Sequence, residues 1–96
     1  MYYYHGTNLK NAKAILKSRK IKTEYFDVIG CYVADNRNHA ACFGNYIFKI
    51  KDTFRLECKL RKDDTNDGFL HDGELDLNLY ECSLIIMDEK VIDDGN

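Results

Sequence analysis

The sequence predicts a mixed α+β fold, and two patterns support this prediction. Segments with strand composition or strand alternation outnumber segments with helical periodicity, and the two predicted helices are short and lie in the first half of the chain. Helices and strands that occupy separate parts of a chain are typical of the α+β class, whereas regular alternation is typical of α/β proteins. A chain of 96 residues is expected to form one domain over residues 1–96.

The two helices are predicted from N-cap residues followed by apolar residues at helical spacing. Asn8 is a suitable N-cap for a helix that ends near Ser18. Asp35 or Asn36 can cap a second, shorter helix that ends at Gly44. The apolar face of the first helix is expected to consist of Leu9, Ala12, Ile15 and Leu16.

The remaining apolar segments are predicted to be strands. Residues 54–60 alternate apolar and charged side chains, which is the pattern of a half-buried strand, and residues 80–87 are apolar enough for a central strand. Residues 21–28 are compatible with a short strand or a loop. The other predicted strands are residues 2–5, 29–34, 46–50 and 91–92, and residues 63–68 are predicted to be a loop.

Composition and charge exclude several classes of protein. Fourteen basic and sixteen acidic residues give a net charge of −2, so no global positive field attracts nucleic acid. The chain has no apolar run of the ~20 residues that cross a bilayer, and its first residues do not resemble a secretory leader. A cytoplasmic protein without membrane contact is therefore expected. Its four cysteines are predicted to be reduced and buried: Cys31, Cys42, Cys58 and Cys82.

Three short groups contain the side chains that are expected to bind a ligand. Residues 4–7, with the sequence YHGT, place an imidazole beside an unhindered glycine where a strand meets a helix. Residues 30–34, with the sequence GCYVA, offer an aromatic ring for stacking. Glu81 is the acid directly before a strongly apolar run. These residue types suit a polar ligand with an aromatic part.

In order along the chain, these groups resemble the signature of the ADP-ribosyltransferases of the His-Tyr-Glu branch, which includes diphtheria toxin and the poly(ADP-ribose) polymerases. The first strand of that family ends in H-G-T or H-G-S before a helix, as residues 5–7 do here. The second motif of the family resembles residues 30–34, and Phe43 resembles its second stacking aromatic. The resemblance implies a split β-sheet core of the ADP-ribosyltransferase type with two short helices.

The resemblance also implies NAD as the cofactor. His5 would hydrogen-bond the adenosine ribose, and the backbone of Gly6 would hold the nicotinamide carboxamide. Tyr32 and Phe43 would sandwich the nicotinamide ring. Glu81 would hold the nicotinamide ribose and face the positive charge that develops as nicotinamide leaves. The implied cofactor-binding residues are therefore His5, Gly6, Thr7, Tyr32 and Phe43, the implied catalytic residue is Glu81, and no metal is expected.

The implied function is NAD-dependent mono-ADP-ribosylation of a macromolecule, in the first place an unidentified protein target. The composition is compatible with a phage or mobile-element effector that acts on a host defence protein. Leu79 occupies the position at which protein-modifying relatives often carry Gln or Glu, so the sequence does not indicate the acceptor. Two alternatives stay open: an inhibitor that keeps the fold and only binds a partner protein, and an RNA 2′-phosphotransferase, which the small number of arginines disfavours.

Other interpretations of the same residues are structural or metal-binding. His5 could be an ordinary strand-end histidine, and Glu74 competes with Glu81 for the role of the acid, although a longer apolar strand follows Glu81. Residues 63–74 have the oxygen spacing of an EF-hand calcium loop but are not preceded by a predicted helix. His71 and Glu74 could form a metal pair, but no third ligand lies at a recognisable spacing.

Overall fold

The computed structural model describes residues 1–22, 24–25, 29–63 and 68–87, which form a mixed α+β fold, as predicted. Its α-helices are α1 (Leu9–Ser18), α2 (Arg37–Ala40) and α3 (Phe54–Cys58), and two short 3-10 helices cover Ala41–Phe43 and Leu77–Leu79. Its strands are β1 (Tyr2–Thr7), β2 (Lys20–Ile21), β3 (Glu24–Tyr25), β4 (Ile29–Val33), β5 (Tyr46–Lys51), β6 (Leu60–Asp63), β7 (Gly68–His71), β8 (Leu75–Asp76) and β9 (Cys82–Ile86).

Within the described part of the chain, the strands form three antiparallel sheets. Their strand orders are β1-β5-β9, β2-β8 and β3-β4-β7-β6. Tyr4 and Ala34 join the first sheet to the third, because the backbone N–H of each donates to the carbonyl of the other at 2.8 Å. The four-stranded sheet therefore meets the three-stranded sheet along the line where β1 passes β4. An ADP-ribosyltransferase-type core stays a prediction.

Helix α1 begins and ends where local sequence signals predict. The side chain of Asn8 accepts a hydrogen bond from the backbone N–H of Asn11 at 2.8 Å, which satisfies one of the unpaired donors of the first turn. Arg19 ends the helix in the left-handed conformation with φ 61°. Ala12 and Ile15 are buried as expected. Leu9 and Leu16 are 46% and 45% exposed, so only the middle of the predicted apolar face packs against the core.

Helix α2 also follows its predicted signals. Its N-cap is Asn36, whose side chain accepts from the backbone N–H of His39 at 2.8 Å. The helix continues as the 3-10 turn Ala41–Phe43 and ends at Gly44, which has φ 150°. The glycine is required there, because a Cβ at this position would come within 2.2 Å of the carbonyl of Thr7.

The predicted strand over residues 54–60 is wrong, because residues 54–58 form helix α3. Thr53 is the N-cap, and its Oγ1 accepts from the backbone N–H of Leu56 at 3.1 Å. Leu56 is fully buried, whereas Phe54 is 81% exposed. A strand would have buried both, since they lie two residues apart. The cap and the burial of one leucine decide the local structure, and β6 begins only at Leu60.

The apolar run near the end of the chain is a strand, but not a central one within the described residues. Strand β9 covers Cys82–Ile86 and pairs with β5, which lies in the middle of its sheet. The predicted strand at residues 91–92 lies outside the described residues, as do residues 64–67 of the predicted loop. The ambiguous segment 21–28 contains the end of β2 and the two residues of β3 in its described part.

The burial predicted for the cysteines is confirmed at only one position. Cys31 is buried, and its thiol donates to the carbonyl of Ile21 at 3.0 Å, as a reduced thiol does. Cys82 is partly buried, and this burial raises the pKa of its thiol. For Cys42 and Cys58 the prediction is wrong, because both are exposed on short helical segments.

Phe48, Ile50 and Leu56 are among the largest fully buried side chains of the main core, which contains residues from all three sheets. A smaller cluster of Ala34, Ala40 and Ile47 lies under α2, with Tyr32 partly buried against it. Among the helices of the described residues, none is both long and apolar enough to cross a membrane.

Candidate functional site

His5 and Tyr32 are brought together by the fold. The Nδ1 atom of the half-buried His5 ring lies 2.7 Å from the carbonyl oxygen of Tyr32. Because a carbonyl only accepts, Nδ1 carries the proton, and Nε2 is the acceptor in the neutral ring. The first and second sequence motifs thus lie next to each other, one residue beyond the bridge between Tyr4 and Ala34.

A cavity of about 340 Å³ opens on the face of β1 that carries His5 and Thr7. Its volume is at the lower end of the range for small-molecule sites. Helix α1 and strand β2 form the other walls. Two cationic side chains face this cavity, those of Lys20 and Lys22, and the helix adds the polar side chains of Asn11 and Ser18. The combination of imidazole, hydroxyl, amide and ammonium groups suits a polar, anionic ligand.

Sequence reasoning missed the two lysines, although a signal was present. Lys20 and Lys22 flank Ile21, which is almost fully buried. A lysine at each alternate position indicates a strand with one basic face. Lys22 falls in the segment 21–28, for which no single structure was predicted, and Lys20 lies directly before it.

Helix α2 fills the space beside Gly6 where a side chain would lie. A Cβ at this position would lie 1.8 Å from the carbonyl oxygen of Ala40, so only glycine allows α2 to approach β1 so closely. The direction of the Gly6 backbone N–H and C=O groups follows from the strand pairing. In an antiparallel strand, successive residues direct their N–H and C=O groups to opposite sides. Tyr4 bonds Ala34, and Gly6 therefore directs its backbone groups to the same side, toward β4.

Tyr32 and Phe43 also lie together, but their rings contact each other and leave no gap for a third ring. Their ring centroids lie 4.6 Å apart with 46° between the ring planes. A ring between them would need a separation of about 7 Å, twice the usual carbon contact distance. Phe43 is 48% exposed on its 3-10 turn. The implied sandwich therefore requires the Phe43 ring to move outward.

The structure does not bring Glu81 to this cavity. Its carboxylate is 74% exposed and lies 3.4 Å from the ammonium of Lys51, and Lys51 pairs with Tyr2 at the opposite end of β1. Measured from Glu81 with ordinary strand spacings, His5 lies about 10 Å along the strands and about 10 Å, or two strand spacings, across the sheet. Glu81 borders a separate cavity of about 360 Å³ together with Tyr2 and Cys82.

Glu74, the competing acid, lies beside the His5 cavity. One carboxylate oxygen of Glu74 is 3.5 Å from the ammonium of Lys20, which lines that cavity. Both side chains are nearly half exposed, so the ion pair contributes little to stability and does not hold the carboxylate in place. Strand length made Glu81 the preferred acid in the sequence, whereas the pairing of β2 with β8 places Glu74 near the cavity.

The metal alternatives gain no support from the described residues. Asp63 and Gly68 pair with each other in antiparallel strands, whereas an EF-hand loop lies between two helices. His71 is buried, and its Nδ1 donates to the carbonyl of Gly73 at 3.2 Å. Over the ranges that the structure describes, no three metal-ligating side chains lie together.

The structure is thus a small α+β fold with a cavity lined by polar side chains between β1, α1 and β2. No family model, no curated protein and no solved structure matches this chain.

Proposed function

We propose that the protein binds NAD at the His5 cavity and along the junction of β1 with β4, and that it transfers ADP-ribose to a macromolecule. One observation carries this proposal: the 2.7 Å hydrogen bond from His5 to the Tyr32 carbonyl. It joins the two motifs that resemble the ADP-ribosyltransferase signature, although they are 27 residues apart in the chain.

The cavity residues fit the adenosine and phosphate part of such a ligand. The imidazole of His5 and the hydroxyl of Thr7 line the cavity and are groups of the kind that bond ribose hydroxyls. Lys20 and Lys22 supply positive charge for a pyrophosphate. A cavity of about 340 Å³ suits one nucleotide half, so the other half must extend along the strands.

The junction between the strands fits the nicotinamide part. The backbone groups of Gly6 point toward β4 and match the donor and acceptor of a carboxamide. Tyr32 offers an aromatic face once Phe43 moves outward. The need for this movement means that stacking competes with an existing ring contact.

NAD, when bound, supplies an ADP-ribosyl group: its bond to nicotinamide breaks with the electron pair leaving on nicotinamide, and the acceptor nucleophile bonds the same carbon and loses a proton. Glu74 is the acid that we assign to this site, because it lies beside Lys20, and the nicotinamide ribose of NAD is attached directly to the pyrophosphate that Lys20 would hold. A carboxylate near developing positive charge lowers the barrier, and its removal typically costs about 10²- to 10³-fold in rate. Glu81, the acid that the resemblance implies, bonds Lys51 at the other end of β1 and is the alternative for this role.

The test is incubation of the protein with labelled NAD and a host lysate, with nicotinamide measured in parallel. Transfer of label to a protein band supports the proposal and identifies the acceptor class. Release of nicotinamide without transfer indicates NAD hydrolysis instead. Absence of both, together with absence of NAD binding by calorimetry, contradicts the proposal.

A second candidate is a binding module that keeps the fold without catalysis. The direct contact between Tyr32 and Phe43 favours it, because the rings already fill the space that a nicotinamide ring needs. The two candidates differ in one measurable respect. For a binding module, Glu74→Gln and His5→Ala leave capture of its protein partner unchanged, whereas a transferase loses label transfer with the same variants.

A further inference from the structure

Gly68 lies directly beneath the ring of Tyr32. In the antiparallel pairing of β4 with β7, Tyr32 is opposite Leu70, and Gly68 is the diagonal neighbour two residues away on the same face. A Cβ on Gly68 would lie 2.5 Å from both Cε1 and Oη of the tyrosine. The outer half of the ring therefore occupies the space of the missing side chain.

The backbone of Gly68 does not itself require glycine. Among the described glycines, only Gly44 and Gly73 have positive φ, so an alanine could adopt the conformation at position 68. The nearest atoms to the added Cβ all belong to the Tyr32 ring. The tyrosine side chain is thus what a side chain added at this position would meet first.

The Tyr32 ring has little freedom to avoid an added methyl group. Its own carbonyl is held by His5 at 2.7 Å, and its backbone lies in the ladder with β7. On the other side, the Phe43 ring centroid is only 4.6 Å away. A methyl group on Gly68 must therefore push the phenol end of Tyr32 out of its present plane.

We propose that Gly68 is a positioning residue that seats the Tyr32 ring and so sets the orientation of the aromatic face presented to the ligand. This inference rests on the proposed function for its effect on NAD. The seating of the ring itself does not depend on NAD. The two parts can be tested separately.

The experiment compares wild type, Gly68→Ala, Tyr32→Ala and the double variant. Ring-to-ring nuclear Overhauser contacts between Tyr32 and Phe43 should weaken in Gly68→Ala. The affinity for NAD, measured by calorimetry, should fall about 10-fold in Gly68→Ala, a size typical of coupled neighbours. In the Tyr32→Ala background, Gly68→Ala should leave NAD affinity unchanged and should not lower the melting temperature, because the ring is gone and alanine can adopt this backbone conformation.

Two results would overturn the proposal: unchanged ring contacts in Gly68→Ala, or an equal loss of NAD affinity in both backgrounds. If the wild type does not bind NAD, the proposed function fails, and the seating is decided by the ring contacts and the melting temperatures alone. If Gly68→Ala does not fold, the double variant decides. A double variant as stable as Tyr32→Ala supports the seating, and one that is also unfolded contradicts it.

Discussion

The imidazole of His5 donates to the carbonyl of Tyr32 at 2.7 Å, and this bond extends the contact between β1 and β4 beyond the backbone bridge of Tyr4 and Ala34. A side chain from one motif therefore orients the backbone of the other. The same bond connects the two strands and orients the His5 ring, which lines the cavity, so a change at this bond affects both stability and the cavity wall.

His5→Ala should lower the free energy of unfolding by about 1 kcal/mol, because the half-buried carbonyl of Tyr32 loses its donor. Urea denaturation measures this change. His5→Asn is the matched control, since its amide nitrogen can replace Nδ1 as a donor and should restore part of the stability. Equal destabilisation by both substitutions would show that the hydrogen bond is not the cause.

Glu74→Gln should lower the rate of nicotinamide release about 100-fold or more, whereas Glu81→Gln should leave it nearly unchanged. The two substitutions are matched in size and charge, and both carboxylates bond a lysine at similar distances. Initial rates at saturating NAD give the comparison. The opposite result would make Glu81 the acid and move the active site to the other end of β1.

Gly6→Ala should destabilise the protein by about 3 kcal/mol or more, because the added Cβ meets backbone atoms of Ala40 that cannot move aside easily. Gly73→Ala is the control. It has φ 75° but no atom within 4 Å of the added Cβ, so it should cost only the roughly 1–2 kcal/mol of a left-handed residue. Denaturant midpoints distinguish the two, and similar values would contradict the close packing of α2 on β1.

Leu56→Ala should cost about 2–5 kcal/mol, because this side chain is fully buried in the main core. Phe54→Ala should change stability by less than about 0.5 kcal/mol, since Phe54 is exposed at the start of α3. A strand at this place would make both substitutions costly. Thermal denaturation of the two variants thus tests the helix directly.

Stability should fall as the pH rises above 10, the ordinary pKa of tyrosine. Burial, followed by the nearby Asp52, Glu57 and Asp35, raises the pKa of Tyr3 in the folded state. The unfolded chain therefore releases the phenolic proton first, and each further rise in pH favours unfolding until the folded pKa is passed. Burial also raises the pKa of Tyr80 in the folded state.

Tyr3→Phe should make the alkaline loss of stability smaller while keeping the edge-to-face contact with Phe69, whose ring centroid is 5.6 Å away. Urea midpoints at pH 8 and at pH values above 10 give the comparison. A pH dependence identical to that of the wild type would mean that Tyr3 titrates alike in both states.

Elements whose signals are local could be predicted from the sequence. Helices α1 and α2 begin where Asn8 and Asn36 cap them, because a cap requires only the three residues that follow it. Thr53 is also a suitable N-cap, but the alternation of apolar and charged residues after it is too short to distinguish a helix from a strand. Burial of Leu56 and exposure of Phe54 decide between them, and burial is a property of the assembled core.

By itself the sequence determined the α+β class and the two capped helices. It also singled out the histidine motif and the tyrosine motif as the candidate site residues. Only the tertiary structure decided which lysine each acid meets: the pairing of β2 with β8 brings Glu74 to Lys20, which lines the His5 cavity, whereas Glu81 meets Lys51 at the far end of β1. It also placed the ring of Tyr32 in the space that a side chain at Gly68 would occupy. The physical reason is common to both: strand register brings together residues that are distant in the chain, and no local pattern encodes which residues will face each other.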